Sequence, residues 1–405
     1  MITRRHFAAL LAPAAWAQPD LQALYDAHDW LGLAQAVTPA SPLLMRGTAA
    51  AALHRYKEAE RLLLRAAREG SAGDPHSRAI EAHAHLISLY SRAGRWRKAF
   101  ASVQAAQKIL PGRPDFQNAA ALFGALARHP GLRPRRIRPT RLQCAAPGKL
   151  IVPITVNGQP ARYFWDTGAN FSLTTESEAR RLGMTIETPD AKVNTATGGA
   201  VAFRLGIART LAIGGCLIEH VPFMIFGDDQ QPFDELPQQE RGGIGLPVQL
   251  ALGSLRWDSA GNFDLAARET PPGPNSPPTL YFEGLMPCTR LGFGDAELNA
   301  QLDTGAETTD LWPPFAKRFA AQLTNAKRET RRVGGVGQNV NVESLIAPSL
   351  PVRLGGKALT LKPAEIHLAK TDGGSLRDYG RIGMDLLNQS TRVTIDFRQM
   401  RLILE

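Results

Sequence analysis

Two aspartates, Asp166 and Asp303, each open the tetrapeptide Asp-Thr-Gly-Ala, and the second copy follows the first by 137 residues. A carboxylate on a tight turn, repeated once in each half of a duplicated chain, can meet its counterpart on the axis between the halves. Two adjacent carboxyl groups share one proton, because both cannot ionise comfortably at close range. One is then a base and the other an acid, which is what water-mediated cleavage of an amide requires.

The residues beside each aspartate suit a tight loop. Strand-like runs, ARYFW and LNAQL, precede Asp166 and Asp303. Gly168 and Gly305 allow the sharp turn that follows. Thr167 and Thr304 supply hydroxyl groups that can fix each turn by hydrogen bonding.

Four further landmarks repeat in nearly constant register, which indicates an internal duplication. The pairs are Gly198-Gly199 with Gly334-Gly335, Gly214-Gly215 with Gly355-Gly356, Ile244-Gly245 with Ile382-Gly383, and Asp258 with Asp396, at offsets of 136, 141, 138 and 138 residues. Two alternatives stay open at this point: surface turns in a duplicated β domain, and a dyad that has lost its activity.

Over residues 147–405 the chain resembles the aspartic proteases, in particular the retropepsin-like branch. The resemblance rests on FWDTGANFSLTT, AQLDTGAETTDLWP, TATGGAVAF, RRVGGVGQNV, GGIGLPV and GRIGMDLL. Aspartic proteases are the established example of a carboxyl pair that shares one proton. The resemblance implies that Asp166 and Asp303 are catalytic and that Thr167, Gly168, Thr304 and Gly305 brace the active site. It also implies flaps at Gly198-Gly199 and Gly334-Gly335, and a bilobal, mainly-β acid-protease fold.

Residues 20–130 have a different pattern, with apolar residues at helical spacing and many Ala and Leu. A theme recurs in which Trp30, Tyr56 and Trp96 stand a few residues before an alanine. The segment at 85–114 resembles a tetratricopeptide repeat. Such arrays usually offer a peptide-binding surface; the alternative is a helical prodomain or spacer packed on the enzyme.

The chain is therefore divided into an export signal (1–17), a tetratricopeptide-like helical domain (18–132), a basic linker (133–146), a first lobe (147–268), a Pro-rich hinge (269–278) and a second lobe (279–405). The net charge of +10 and the pI of about 9.8 could suit nucleic acid or an anionic membrane. No nucleic-acid module is recognised, and part of the excess charge lies in RPRRIRPTR at 133–141.

The N-terminus reads as a twin-arginine-like export signal. Arg4 and Arg5 precede a short apolar stretch, and Ala15-Trp16-Ala17 fits a cleavage site. A soluble, exported protein in the periplasm or outside the cell is expected, without a permanent membrane span. The three cysteines, Cys144, Cys216 and Cys288, leave open whether a disulfide forms.

The sequence thus predicts an exported aspartic endopeptidase that acts on a peptide or protein substrate and requires neither metal nor organic cofactor. Because both aspartates belong to one chain, a monomer suffices for catalysis. The helical repeats would bind substrate or a protein partner. The alternative is a non-catalytic, peptide- or protein-binding scaffold that uses the helical repeats.

Overall fold

The structure is a computed structural model that describes residues 20–69, 75–146, 148–194, 200–267, 276–336, 338–369 and 377–405. The predicted export signal at 1–17 and the first flap glycines, Gly198 and Gly199, lie outside the described residues. No helix within these ranges is both long and apolar enough to cross a membrane.

The N-terminal region is helical, as its periodicity predicts. Its helices are α1 (Leu21–Asp26), α2 (Trp30–Ala36), α3 (Leu43–Ala52), α4 (Tyr56–Glu69), α5 (Pro75–Arg92), α6 (Trp96–Ile109) and α7 (Pro114–Ala127).

The recurring aromatic theme marks a structural repeat in these helices. Trp30, Tyr56 and Trp96 are the first residues of α2, α4 and α6. Two positions earlier stand His28, His54 and Gly94, whose φ angles are 54°, 51° and 65°. Each helix pair is therefore joined through a residue in the left-handed region, and three pairs share one connection geometry.

The rest of the chain is mainly β. The strands up to residue 267 are β1 (Arg133–Arg136), β2 (Thr140–Gln143), β3 (Ile151–Val156), β4 (Gln159–Trp165), β5 (Ser172–Thr175), β6 (Thr185–Glu187), β7 (Lys192–Asn194), β8 (Ala200–Ala202), β9 (Arg204–Ile213), β10 (Cys216–Phe226), β11 (Gly242–Ile244), β12 (Ser254–Asp258) and β13 (Asn262–Leu265). Helices α8 (Glu176–Arg181) and α9 (Leu246–Leu252) and the 3₁₀ turns Phe233–Glu235 and Gln238–Glu240 lie among them.

The second half repeats this layout. Its strands are β14 (Leu280–Glu283), β15 (Met286–Phe293), β16 (Ala296–Leu302), β17 (Asp310–Leu311), β18 (Lys327–Gly335), β19 (Gln338–Ala347), β20 (Leu350–Leu354), β21 (Lys357–Leu361), β22 (Ala364–His367), β23 (Gly380–Ile382), β24 (Arg392–Asp396) and β25 (Arg401–Leu404). Its helices are α10 (Pro313–Arg318) and α11 (Met384–Leu387), with a 3₁₀ turn at Ala320–Gln322. The segments TESEARRLG and PPFAKRFAAQL, whose sequences predict a short helix after each Asp-Thr-Gly motif, contain α8 and α10.

Sheet order shows the duplication directly. The first lobe contains the run β10-β5-β11-β4-β3-β9, and the second contains β22-β17-β23-β16-β15-β20. Corresponding neighbours are parallel or antiparallel in the same way: β11 pairs parallel with β4, and β23 pairs parallel with β16. In the first lobe β9 also pairs with β10, which closes the sheet on itself.

A five-stranded sheet, β2-β13-β12-β24-β25, joins the lobes. The duplicated aspartates Asp258 and Asp396 end β12 and β24, which pair antiparallel with Ser254 opposite Asp396. The predicted fold class, a helical region followed by a mainly-β bilobal acid-protease fold, is confirmed.

The prolines and basic residues of RPRRIRPTR at 133–141, within the basic linker, predict a stretch that resists helix and sheet, and this prediction is wrong. Within the linker, β1 pairs with β10 and β2 pairs with β13. β1 lies at the edge of its sheet and is exposed along its length, so it shows no apolar alternation in the sequence. Proline is tolerated in an edge strand, and the register shifts between Pro134 and Arg136. Of the predicted hinge at 269–278, only 276–278 is described.

The N-terminal helices α1–α7 form the helical array. This array contacts the turn between β14 and β15 of the second lobe. The carboxylate of Glu283 accepts hydrogen bonds from Trp30 Nε1 at 2.5 Å and pairs with His28 Nδ1 at 3.0 Å. The buried Arg92 donates to the carbonyl oxygens of Gly284 and Ala51. Its guanidinium also lies 4.2 Å from the centre of the Phe282 ring.

The first lobe contacts the array through other helices. The ring centroids of Trp96 and Phe171 are 5.7 Å apart. Arg128 and His129 reach Glu187 at 2.5 and 2.6 Å. One buried apolar cluster runs from the helices into both lobes, so the helical region and the lobes share a core.

The three cysteines, Cys144, Cys216 and Cys288, are buried and free. Burial raises the pKa of the Cys144 thiol to about 11, with a further contribution from the charge of Asp258. The Cys144 thiol is therefore a poor nucleophile at neutral pH.

Candidate active site

Asp166 and Asp303 follow directly after equivalent strands, β4 and β16. The backbone N–H of Asp166 donates to the Ile244 carbonyl at 3.2 Å, and that of Asp303 donates to the Ile382 carbonyl at 3.0 Å. The Ile-Gly elements recognised in the sequence therefore hold the two aspartate loops in the same manner.

The other side of each loop is fixed in the same way. Leu246 N donates to the Ala169 carbonyl, and Met384 N donates to the Ala306 carbonyl, each at 2.9 Å. The two halves thus present their aspartates with one backbone geometry.

The two carboxyl groups meet across the axis between the lobes. A Cβ atom placed on Gly168 would lie 2.6 Å from Cγ of Asp303, and one placed on Gly305 would lie 2.6 Å from Cγ of Asp166. Each carboxyl group therefore packs on the glycine of the opposite loop. Only a residue without a side chain fits at either position.

Thr167 and Thr304 form a reciprocal network beneath the carboxyl pair. The Thr167 hydroxyl accepts from Thr304 N at 2.9 Å and donates to the Leu302 carbonyl at 2.7 Å. The Thr304 hydroxyl accepts from Thr167 N at 3.1 Å and donates to the Trp165 carbonyl at 2.7 Å. All four bonds are buried, and each joins one lobe to the other.

The electrostatics of the pair are those of two carboxyl groups that share a proton. Burial raises the pKa of Asp166 well above its ordinary value, and the charge of Asp303 and a hydrogen bond with it act in the same direction. The N–H groups of Gly168 and Ala169, at 2.8 and 3.0 Å from Asp166 Oδ1, oppose this shift. The pair therefore titrates as a unit and favours a singly protonated state.

Asp303 has a different environment. Its Oδ1 accepts from Gly305 N at 2.9 Å, and its Oδ2 lies 3.6 Å from Nη1 of Arg381. Sequence reasoning missed Arg381. The signal was its place directly before Ile382-Gly383, where the equivalent residue of the first lobe is Gly243.

The second predicted flap is a hairpin. Gly334 and Gly335 end β18, which pairs with β19 up to the tip. The side chain of Asn339, on the returning strand, hydrogen-bonds the side chain of Gln231 in the first lobe. This hairpin therefore reaches across to the opposite lobe.

The first predicted flap is described only at its base. There β7 and β8 pair antiparallel, with Asn194 opposite Ala200. Gly198 and Gly199 lie between these strands, outside the described residues.

Residues 152–248 match a family model described as aspartyl protease. The matched segment lies within the first lobe. The match includes Asp166 and Ile244-Gly245, and the second lobe repeats the topology of the first around Asp303.

Two solved structures are similar to parts of the chain. A retropepsin-like aspartic protease from Rickettsia conorii aligns with 17% identity and a TM-score of 0.25 over 32% of this chain and 89% of its own. The EIAV protease in complex with the inhibitor HBY-793 aligns with 23% identity and a TM-score of 0.19 over 26% of this chain and 86% of its own. No curated protein sequence matches the chain.

Proposed function

We propose that this protein is an aspartic endopeptidase whose catalytic residues are Asp166 and Asp303. The observation that carries the proposal is the packing of each carboxyl group on the glycine of the opposite Asp-Thr-Gly loop. The geometry brings the two carboxyl groups together at a half-buried position between the lobes.

In the proposed reaction the ionised carboxylate takes a proton from a water molecule, and the resulting hydroxide attacks the peptide carbonyl carbon. The protonated carboxyl group donates its proton to the carbonyl oxygen, which gives a tetrahedral diol. When the C–N bond breaks, the carboxyl group protonated in the first step donates its proton to the leaving nitrogen, and the other, now ionised, carboxylate takes a proton from one diol hydroxyl as the diol becomes a carboxylic acid. The dyad then returns to its singly protonated state.

The hairpin β18–β19 is proposed to close over the substrate as a flap, and Gly198-Gly199 to do the same from the first lobe. The contact between Asn339 on this hairpin and Gln231 in the first lobe supports this role. Export by a twin-arginine signal to the periplasm or the exterior is part of the proposal and rests on the sequence of residues 1–17.

The helical repeats are proposed to bind a protein partner or substrate. Trp30, His28 and Arg92 already hold the protein's own Glu283-Gly284 turn, so a partner would bind other residues of the array. A scaffold without catalysis is the rival function, and the intact dyad geometry favours the enzyme.

The test is cleavage of a peptide library by the purified protein and by Asp166→Asn and Asp303→Asn. Each substitution should reduce cleavage by orders of magnitude and leave the circular dichroism spectrum unchanged, since the acid and base act as one unit. A statine-type transition-state mimic should inhibit, and EDTA should not. Cleavage that survives in both variants would remove the assignment to this site.

A further inference from the structure

The two lobes differ at one position beside the dyad. In the second lobe Arg381 stands opposite Asp310 in the pairing of β23 with β17. In the first lobe the equivalent pairing of β11 with β5 places Gly243 opposite Leu173. A Cβ on Gly243 would lie 2.7 Å from atoms of the Phe164 ring, so the first lobe has no room for a matching arginine.

Arg381 is held in place by an anion on its far side. Its Nε and Nη2 lie 2.9 and 2.8 Å from Oδ1 of Asp310. The indole N–H of Trp312 donates to Oδ2 of Asp310 at 2.6 Å. With its Nε edge fixed in this way, the guanidinium directs Nη1 toward Asp303 Oδ2 at 3.6 Å.

Burial strengthens this interaction. The side chain of Arg381 is 18% exposed and that of Asp303 is 13% exposed, so solvent screens the pair less than a surface ion pair. Across the axis, no ion pair joins Asp166 to a cation in the described ranges of the chain. The electrostatic field therefore differs between Asp166 and Asp303, although the backbone around the two residues is two-fold symmetric.

We propose that Arg381 is a positioning residue that holds the negative charge on Asp303, so that Asp303 is the base and Asp166 the acid. The inference rests on the proposed function, because it assigns the two roles within that site. Arg381 touches neither reacting atom in this scheme and acts through Asp303 alone.

The charged and titratable groups around Asp303 determine whether a substitution makes ionisation of Asp303 easier or harder. Asp166 faces it across the axis, Arg381 faces it from β23, and Asp310 lies behind Arg381 on β17. Farther out on β22, His367 lies 3.7 Å from Asp310 and 3.1 Å from Glu365. Removing the arginine charge makes ionisation of Asp303 harder, whereas removing the Asp310 charge leaves Arg381 less neutralised and makes it easier.

The experiment compares pH profiles of kcat/KM for three variants. Arg381→Gln should move the acidic limb up by about 1 pH unit or more, since about 1 pH unit is the shift that a unit charge at 3.6 Å gives even under full water screening. Arg381→Lys, which keeps the charge, should move it by less than half as much. Asp310→Asn should move the limb in the opposite direction, to lower pH. A general loosening of the fold would move the acidic limb in the same direction in Arg381→Gln and Asp310→Asn. Shifts in opposite directions therefore exclude it as the cause.

A second measurement does not depend on activity. In the Asp166→Asn protein, which carries only one member of the dyad, the ¹³Cγ resonance of Asp303 is titrated by NMR with Arg381 intact and with Arg381→Gln. The midpoint should rise by about 1 pH unit or more in the second protein. An unchanged midpoint, or an acidic limb that stays in place in Arg381→Gln, overturns the role of Arg381.

The proposed function fails in a different way. A wild-type protein that cleaves no peptide, or whose cleavage persists in both Asp→Asn variants, contradicts the protease assignment while the NMR midpoints still decide the role of Arg381. A wild-type protein that cleaves, together with an Arg381→Gln profile identical to its own, leaves the protease and removes only this inference.

Discussion

Thr167 and Thr304 each accept a hydrogen bond from the other's backbone N–H, at 2.9 and 3.1 Å, across the boundary between the lobes. Because each hydroxyl also donates to a carbonyl beneath the opposite aspartate, the relative position of the two carboxyl groups depends on this exchange. The lobes are therefore aligned by polar contacts at the site itself as well as by the sheet they share.

Replacing Thr167 with valine, which has a similar shape and no hydroxyl, should leave the buried Thr304 N–H and Leu302 carbonyl unpaired. Each unsatisfied group costs about 1–3 kcal/mol, so the free energy of unfolding should fall by at least about 2 kcal/mol. Cleavage should fall as well, since the carboxyl groups lose their alignment. Urea denaturation measures the first effect, and Thr167→Ser, which keeps the hydroxyl, is the control and should lose less than about 1 kcal/mol. Equal losses in the two variants would contradict the role given to the hydroxyl.

The raised pKa of Asp166 predicts how stability depends on pH. A carboxyl group whose pKa is higher in the folded than in the unfolded protein stabilises the fold at low pH, and this contribution is lost as pH rises through the folded pKa. Compared with Asp166→Asn, the wild-type protein should thus lose melting temperature from about pH 4 upward, the ordinary range for aspartate ionisation. The variant should therefore melt higher than wild type near neutral pH.

Scanning calorimetry between pH 4 and pH 8 checks this prediction, with Asp115→Asn as the control. Asp115 is exposed, and a hydrogen bond from Arg113 lowers its pKa, so its replacement should not raise the neutral-pH melting temperature. If the melting temperatures of the wild-type protein and Asp166→Asn changed in parallel across this range, burial of Asp166 would not destabilise the folded protein near neutral pH.

The sequence predicted the parts of the site that repeat, because a duplicated motif is visible without any knowledge of contacts. Asp166, Asp303 and the Ile-Gly elements were found for this reason, and the structure brings them together. Arg381 was missed because its importance depends on Asp310, a residue 71 positions away that its own strand brings alongside it.

The helical region was predicted from periodicity, and its contact with the lobes was not. Periodicity reports which face of a helix is buried but not what buries it. The partners of Trp30 and Arg92 lie more than 190 residues away, in a hairpin turn whose sequence resembles any other exposed turn. The strand β1 was missed because an exposed edge strand shows no apolar alternation.

Arg92 should carry much of the attachment between the helical array and the second lobe. It is buried, bonds one carbonyl in α3 and one in the β14–β15 turn, and packs on Phe282. Arg92→Met keeps most of the apolar volume but leaves two carbonyl groups unpaired, so the free energy of unfolding should fall by about 2–4 kcal/mol. Urea denaturation measures the loss.

The matched control for this prediction is Arg46→Ala. Arg46 also donates to a backbone carbonyl, that of Pro39 at 2.8 Å, but the contact is exposed. Its replacement should cost less than about 0.5 kcal/mol. Similar losses in the two variants would show that burial at the Arg92 contact is unimportant.

Because strands of the basic segment pair with strands of the lobes, we expect that the helical region cannot be removed without destabilising the rest of the chain. β1 and β2 add to a sheet of the first lobe and to the sheet between the lobes, and the array shares a buried core with both lobes. Trypsin should therefore cut at 133–141 slowly in the native protein and rapidly in the urea-denatured protein, which serves as the control.

A shortened chain of residues 147–405 lacks both strands and exposes the apolar surface that the helices cover, so it should be insoluble or melt well below the full chain. Rapid native cleavage at 133–141 that releases a soluble fragment able to cleave peptides would contradict this prediction and establish an independent protease domain.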